Sequence, residues 1–423
     1  MKTLSTLALA AALAAGGGAV LIQPALAAKK EEAKPGLKLS PDFVKAAKPA
    51  QDALAAKTWA AAEPLVVAAE AVAKNDDEKY VAASLRFDLT RGKIYAGRDT
   101  NPNAPVDESQ LAGPLDTLIA NPSTPAASKP QFLYVRGVLA FNGRQNAIAV
   151  KYLTEARQLG YQDPNLDLMI AKAKIEGGDL AGGSADLDAA IVKAQAGGKQ
   201  APKDYYLYAI ARANKAKDKP TTVAWLNKYA KAYPSPETWR DVLVTYGLSS
   251  PSVDNLDKAQ RIDLYRLLRD TKGLSDQSLY EEYAQDAIDR GLPSEAEAVL
   301  KEGQASGKLT AGASLTAALR TASSAARSEG SLGPLETKAR GAADGKLAAQ
   351  TADGYLSQGN NAKAADLYKL ALSKGGVNAE DTNMHLGIAL SRSGDKAGAA
   401  AAFATIKTGP RANLASLWST WVA

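Results

Sequence analysis

Ala352-Asp353-Gly354-Tyr355-Leu356-Ser357-Gln358-Gly359-Asn360-Asn361-Ala362-Lys363-Ala364-Ala365-Asp366-Leu367-Tyr368-Lys369-Leu370-Ala371 carries the clearest structural signature of the chain. Its apolar residues recur at spacings of three and four, the period of an amphipathic helix, on both sides of a glycine. A small residue (Ala352) is followed at seven places by Gly359, at twelve by Ala364 and at sixteen by Tyr368, with Ala371 closing the set. The next stretch repeats the order as Gly387, Gly394, Ala399, Phe403 and Ile406. Each position has a physical reason. A small residue in the first helix lets the second approach closely, and the glycine takes the positive φ that ends the first helix. The small residue twelve places on packs back against the first helix, and the large one four later is expected at the interface with the following unit.

Working outward, the same order runs from Ala284 through Gly291, Ala296, Leu300 and Gly303, and from Ala171 through Gly178, Gly183 and Leu187 to Ala190. It runs again from Gly137 to Ala149, Leu153 and Ala156, with Gly143 one place early. Gly137 to Ala171 is 34 residues, Ala352 to Gly387 is 35, and Ala284 to Ala352 is 68 with Ala318 at the midpoint. Ala211, Thr245, Ser84 and Ala50 mark further, degenerate units, and Pro334 stands where the Ala318 unit needs a large apolar residue. Fixed self-similarity of this length marks a repeat architecture.

A helix pair recurring every 34 residues resembles the tetratricopeptide repeat family. The resemblance covers nearly the whole chain after residue 40. It implies an all-α fold, a right-handed α-α superhelix (solenoid) of about ten helix pairs over residues 41–423. The family's early tryptophan is missing from most units, where Leu133, Leu207 and Tyr280 stand instead. Leu414 to Val422, with Trp418 and Trp421, reads as a capping helix over the last pair. The resemblance further implies an inner wall of first helices that binds an extended peptide or a partner's helix. Its partner-binding candidates are Tyr134, Asn142, Lys172, Tyr205, Tyr208, Arg212 and Lys215, a mixed aromatic and basic set of the kind enriched at interfaces. The alternative for the tyrosines is a place in the core. The Lys and Asn set that forms the family's two-carboxylate clamp is missing, so binding of chaperone tails is not expected.

Residues 1–27 read as a secretory signal peptide: Lys2, an apolar run from Leu4 to Ala15, and Ala25-Leu26-Ala27 as the cleavage pattern. No cysteine follows, so a lipid anchor is not expected, and the address is a periplasm. Residues 28–40 are polar and contain Pro35 and Gly36, as a flexible linker would. No later run reaches the 18 apolar residues of a membrane span. The net charge is +6, but acids and bases alternate, as in Lys29-Lys30-Glu31-Glu32, which marks solvated helix faces rather than a nucleic-acid footprint.

Catalysis finds no seat in the sequence. The chain has no cysteine and one histidine, His385, which reads as an ordinary helical residue. Gly177 to Ser184 lacks a phosphate-loop lysine, and Ser393-Gly394-Asp395-Lys396 coincides with a repeat turn. Glu108-Ser109 is not followed by the aromatic, Gly-rich segment of a lysozyme-like domain. Gly97–Asp107 and Gly247–Asp254 break the period and read as surface insertions, with a hinge or binding loop as the open alternative. The expectation is a non-catalytic periplasmic scaffold without cofactor or metal, binding a protein or peptide; a glycan-handling accessory is the alternative.

Overall fold

The computed structural model describes residues 36–99, 101, 103 and 105–423. The stretches read as a signal peptide and as the start of a linker lie outside them. The end of the linker is tied down: Lys38 N donates to Asp77 Oδ2 (2.8 Å) and Ser40 N to Glu78 Oε1 (2.8 Å). The described residues contain 21 α-helices and no strand, so the all-α expectation holds.

Two compact units divide the chain after Lys199. The first contains α1 (Pro41–Ala55), α2 (Trp59–Val72), α3 (Asp76–Tyr95), α4 (Ala112–Ala120), α5 (Lys129–Asn142), α6 (Asn146–Gln158), α7 (Leu166–Glu176) and α8 (Leu180–Ala196). Each packs on the next. The second, Gln200–Ala423, contains α9 (Lys203–Lys215), α10 (Lys219–Ala232), α11 (Pro236–Leu243), α12 (Lys258–Asp270), α13 (Gln277–Asp289), α14 (Pro293–Ala305), α15 (Ala313–Glu329), α16 (Gly333–Gly341), α17 (Lys346–Ser357), α18 (Asn361–Lys374), α19 (Ala379–Arg392), α20 (Lys396–Phe403) and α21 (Gly409–Val422). The small residues that open the repeats fall in odd-numbered helices throughout, except Thr245, which lies in the single π-turn following α11.

The recurring turn explains the pattern. Gly359 and Gly394 adopt φ +76° and +88°, a conformation a side chain disfavours, and the next residue caps the second helix. Asn360 accepts from Lys363 N, and Asp395 from Gly398 N. In the Gly137 unit the left-handed residue is Arg144 (φ +58°) and not the glycine before it, so Gly143 contributes only small size there. Close approach is enforced at the two best small positions: a Cβ on Gly137 would lie 2.6 Å from Leu153 Cγ, and one on Gly387 2.4 Å from Phe403 Cε1. Leu153 and Phe403 therefore also pack within their own pair, in addition to the place at the following unit that the sequence reading expected. Phe403 does both, since its ring also stacks on Trp418 at 5.7 Å.

The second unit closes on itself. The C-terminal helix α21 covers α19 and α20 as a cap would, and also packs on α10 and α12 from the other end of the unit. Asn227 Nδ2 donates to Ser416 Oγ (3.0 Å), Thr420 Oγ1 to Asn227 Oδ1 (2.6 Å) and Tyr246 OH to Pro410 O (2.5 Å). Trp421 meets Trp239 edge-on. The pair α15 and α16 stands outside this ring. Glu295 N of α14 donates directly to Ser357 Oγ of α17 (2.9 Å), and α15 buries only Leu315 and Ala322. The insertion Gly247–Asp254 is also anchored: Val253 is buried, and Asp254 accepts from Lys219 Nζ, Tyr246 OH and Asn413 Nδ2.

Candidate functional site

The residues predicted to face a partner separate by burial. Tyr134 is fully buried, its ring stacked on Tyr161 at 4.5 Å, and Tyr205 is buried too. Both belong to the core of their units, the alternative the sequence left open. Asn142 is exposed at the end of α5 and Lys172 half-buried on α7, both in the first unit. The structure brings Tyr208, Arg212 and Lys215 together on one face of α9. The Arg212 guanidinium lies 5.0 Å over the Tyr208 ring, Lys215 is exposed one turn on, and Leu207 beside them is 40% exposed. Exposed Asp204 and Ala211 complete the face at spacings of three and four. An exposed leucine next to a cation–π pair is a surface with both apolar area and directional charge.

A second constellation lies inside the second unit, where the sequence reading had placed no functional group. Arg266, 1% exposed, donates Nε and Nη2 to the Glu295 carboxylate (2.9 and 2.7 Å) and Nη1 to Asp263 Oδ1 (3.2 Å). Tyr283 OH also donates to Glu295. His385 is not an ordinary helical residue. Its Nδ1 lies 2.8 Å from Asp353 Oδ1 and its Nε2 3.3 Å from Asp263 Oδ1, while Tyr368 OH donates to Asp353 (2.6 Å). Six helices, α12, α13, α14, α17, α18 and α19, supply this network, and Arg411 of α21 pairs with Asp381 and faces Asp263. Burial opposes the charge of His385, but the carboxylates of Asp263 and Asp353 outweigh it and push its pKa up to about 10. Burial likewise disfavours the Glu295 carboxylate, yet the Arg266 charge holds its pKa down at about 2.

His385 gives a pH prediction whose sign is fixed by linkage. Its pKa rises from 6.5 unfolded to about 10 folded, so its contribution is fully present below pH 6.5 and is lost as pH climbs toward 10. At roughly 1.4 kcal/mol per pKa unit the contribution is on the order of a few kcal/mol. As the chain has one histidine, its ring protons give a single, unambiguous pair of NMR signals once any affinity tag is removed. The expected titration midpoint is far above 7, and in His385→Gln the fall of Tm across pH 6.5–10 flattens. A midpoint near 6.5 would show the ring neutral and the network differently paired.

Beside the network a cleft of about 580 Å³ opens between α12, α14, the α17–α18 turn and the end of α19. Its wall carries Arg269, Lys272 and Arg392 against Asp270, Glu295 and Glu302. Arg392 binds Asp270 through Nε and Nη2 (both 3.0 Å to the closer oxygens), and Arg269 Nε binds Glu302 Oε2 (2.7 Å). No group of three or more metal-ligating side chains and no helix long and apolar enough to cross a membrane occurs among the described residues.

No family model and no curated protein matches the chain. Among solved structures it is similar to a tetratricopeptide repeat protein from Parabacteroides merdae, at 12% identity over 83% of this chain and all of that one, with a TM-score of 0.29. It is also similar to a structure of Naa15/Naa10 bound to HypK-THB, at 13% identity, 86% and 63% coverage and a TM-score of 0.37. A third is the APC/C hetero-tetramer Cut9-Hcn1, at 13% identity, 87% and 86% coverage and a TM-score of 0.17. At these TM-scores the fold assignment rests on the helix pairs themselves.

Proposed function

We propose that the mature chain is a periplasmic protein-interaction scaffold that holds a partner's helix or extended segment on the α9 face. One observation carries this reading: Leu207, Tyr208, Arg212 and Lys215 share one exposed side of a helix whose opposite side is locked into the core by Tyr205, Tyr206 and Ala209. A rigid helix offering an exposed leucine, an aromatic ring and two cations suits a segment that is apolar and acidic. In the second unit α21 packs on α10, α12, α19 and α20 and not on α9. The periplasmic address rests on the leader read at residues 1–27.

The test is affinity capture after mild in-cell crosslinking, comparing wild type with Tyr208→Ala/Arg212→Ala. Both side chains are only half-buried, so the double variant should keep its fold. Hot-spot aromatic and arginine residues each contribute about 2 kcal/mol or more at interfaces, so capture of a specific protein should fall by roughly tenfold or more. Unchanged recovery of every captured protein would remove α9 from the interface.

A further inference from the structure

The wall of the cleft beside the buried network holds more positive than negative charge once the partners of its acids are counted. Glu295 belongs to Arg266, which binds both of its oxygens from inside the core, so that carboxylate brings no net charge to the cleft. Arg269, Lys272 and Arg392 then stand against two acids, Asp270 and Glu302. Both acids are engaged by the arginines: the two oxygens of Asp270 accept from Arg392, and Glu302 Oε2 accepts from Arg269 Nε. Lys272, exposed at the rim, has no ion pair among the described residues. Hydrogen-bonding capacity is unbalanced in the same direction. Arg392 Nη1 and both terminal nitrogens of Arg269 have no hydrogen-bond partner among the described residues, and none of the three is sealed from solvent. A guanidinium donates and never accepts. Gly359 and Asn361, at the start of α18, stand in the same wall, so the positive end of that helix dipole adds to the field.

We propose that this cleft binds a small organic anion, whose carboxylate or phosphate oxygens accept from Arg269 and Arg392 while Lys272 supplies the balancing charge. Accessible donors backed by an uncompensated cation fit a group that only accepts, and the planar guanidinium suits the geometry of both oxyanions. The volume of about 580 Å³ lies within the range of small-molecule sites. Asp270 and Glu302 keep the two guanidiniums aimed, so the ligand meets fixed donors and loses little to reorganisation. With one spare charge near solvent, binding is modest and screened by salt. The site is separate from the α9 face and does not depend on it.

The experiment titrates the full mature chain with citrate, glucose 1-phosphate and, as a neutral control, glucose, by ligand-observed NMR at low and at physiological salt. Saturable binding of citrate or glucose 1-phosphate is expected without binding of glucose, and it should weaken at the higher salt. Arg269→Gln should weaken it roughly tenfold, as loss of a charge-assisted hydrogen bond implies. Lys272→Asn should weaken it about threefold, the effect of one exposed charge. Lys272 sits at φ +63°, a conformation asparagine tolerates, so this second variant removes the charge and leaves the backbone in place. The urea midpoint of each variant reports whether the fold survives, and Lys272→Asn decides if Arg269→Gln does not fold. Binding of neither anion would overturn the proposal. So would equal binding of glucose, or anion binding unchanged in the variants that fold.

Discussion

Arg266→Ala should destabilise the second unit by about 3–5 kcal/mol, because it leaves Glu295 and Asp263 as uncompensated charges in the interior. Both carboxylates are almost wholly inaccessible, at 2% and 0% exposure. The pair is also bidentate, Tyr283 donates to the same carboxylate, and Ser357 holds the Glu295 backbone N–H, so the cost should not be relieved by a small shift. Restoring neutrality should recover much of the loss: Arg266→Met/Glu295→Met replaces the pair by apolar groups of similar length, and such exchanges are often near neutral. Four of the five tryptophans, Trp225, Trp239, Trp418 and Trp421, lie in the second unit, so urea unfolding followed by fluorescence reports mainly on it. A single variant within 1 kcal/mol of wild type would mean that water reaches the network. The same ion pair predicts an acid limb. Glu295's pKa is lowered in the fold, so its contribution is present above pH 4.5 and lost as pH falls toward 2.

Trp418→Ala should cost a comparable 3–5 kcal/mol, the range for removing a large buried aromatic residue. Trp418 is fully buried, stacks on Phe403, and donates Nε1 to the carbonyl of Asp263 at 3.1 Å, so it ties the last helix to α12 across 155 residues of sequence. Its loss opens a cavity and removes a direct side-chain bond at the point where the unit closes. Besides a lower urea midpoint, the variant should show faster amide exchange in α12 and α21 while α1 to α8 stay protected, since those helices belong to the other unit. Protection lost only in α21 would show that it is a simple cap, as the sequence had suggested, and that closure adds little.

The two halves of this account were unequally legible. Helix pairs were readable because Gly359, Gly394 and their equivalents must adopt a conformation few other residues tolerate, and because Gly137 and Gly387 must be small; such constraints are local and repeat. Closure of the second unit was hidden because its contacts join residues as distant as Asn227 and Thr420, and nothing local marks them. Asp263 and Arg266 look like an exposed pair three residues apart, the pattern that led charged residues to be read as solvated faces. One signal was available: Ile262-Asp263-Leu264-Tyr265-Arg266-Leu267-Leu268 is apolar on every side, and a helix without a polar face is a buried one. The same reasoning would have placed Tyr134, flanked by Phe132, Leu133 and Val135, in the core. For Tyr208 and Arg212 the spacing from Tyr205 and Tyr206 already separates an inner from an outer side of α9.

The most direct test of the scaffold reading places a photo-crosslinking amino acid at Leu207 and, as a control, at exposed Thr321 on α15. Irradiated in cells, the Leu207 position should give a discrete protein adduct that the Thr321 position does not give and that disappears with Arg212→Ala. No adduct at Leu207, or the same adducts at both positions, would contradict the claim that α9 is the face on which this protein holds its partner.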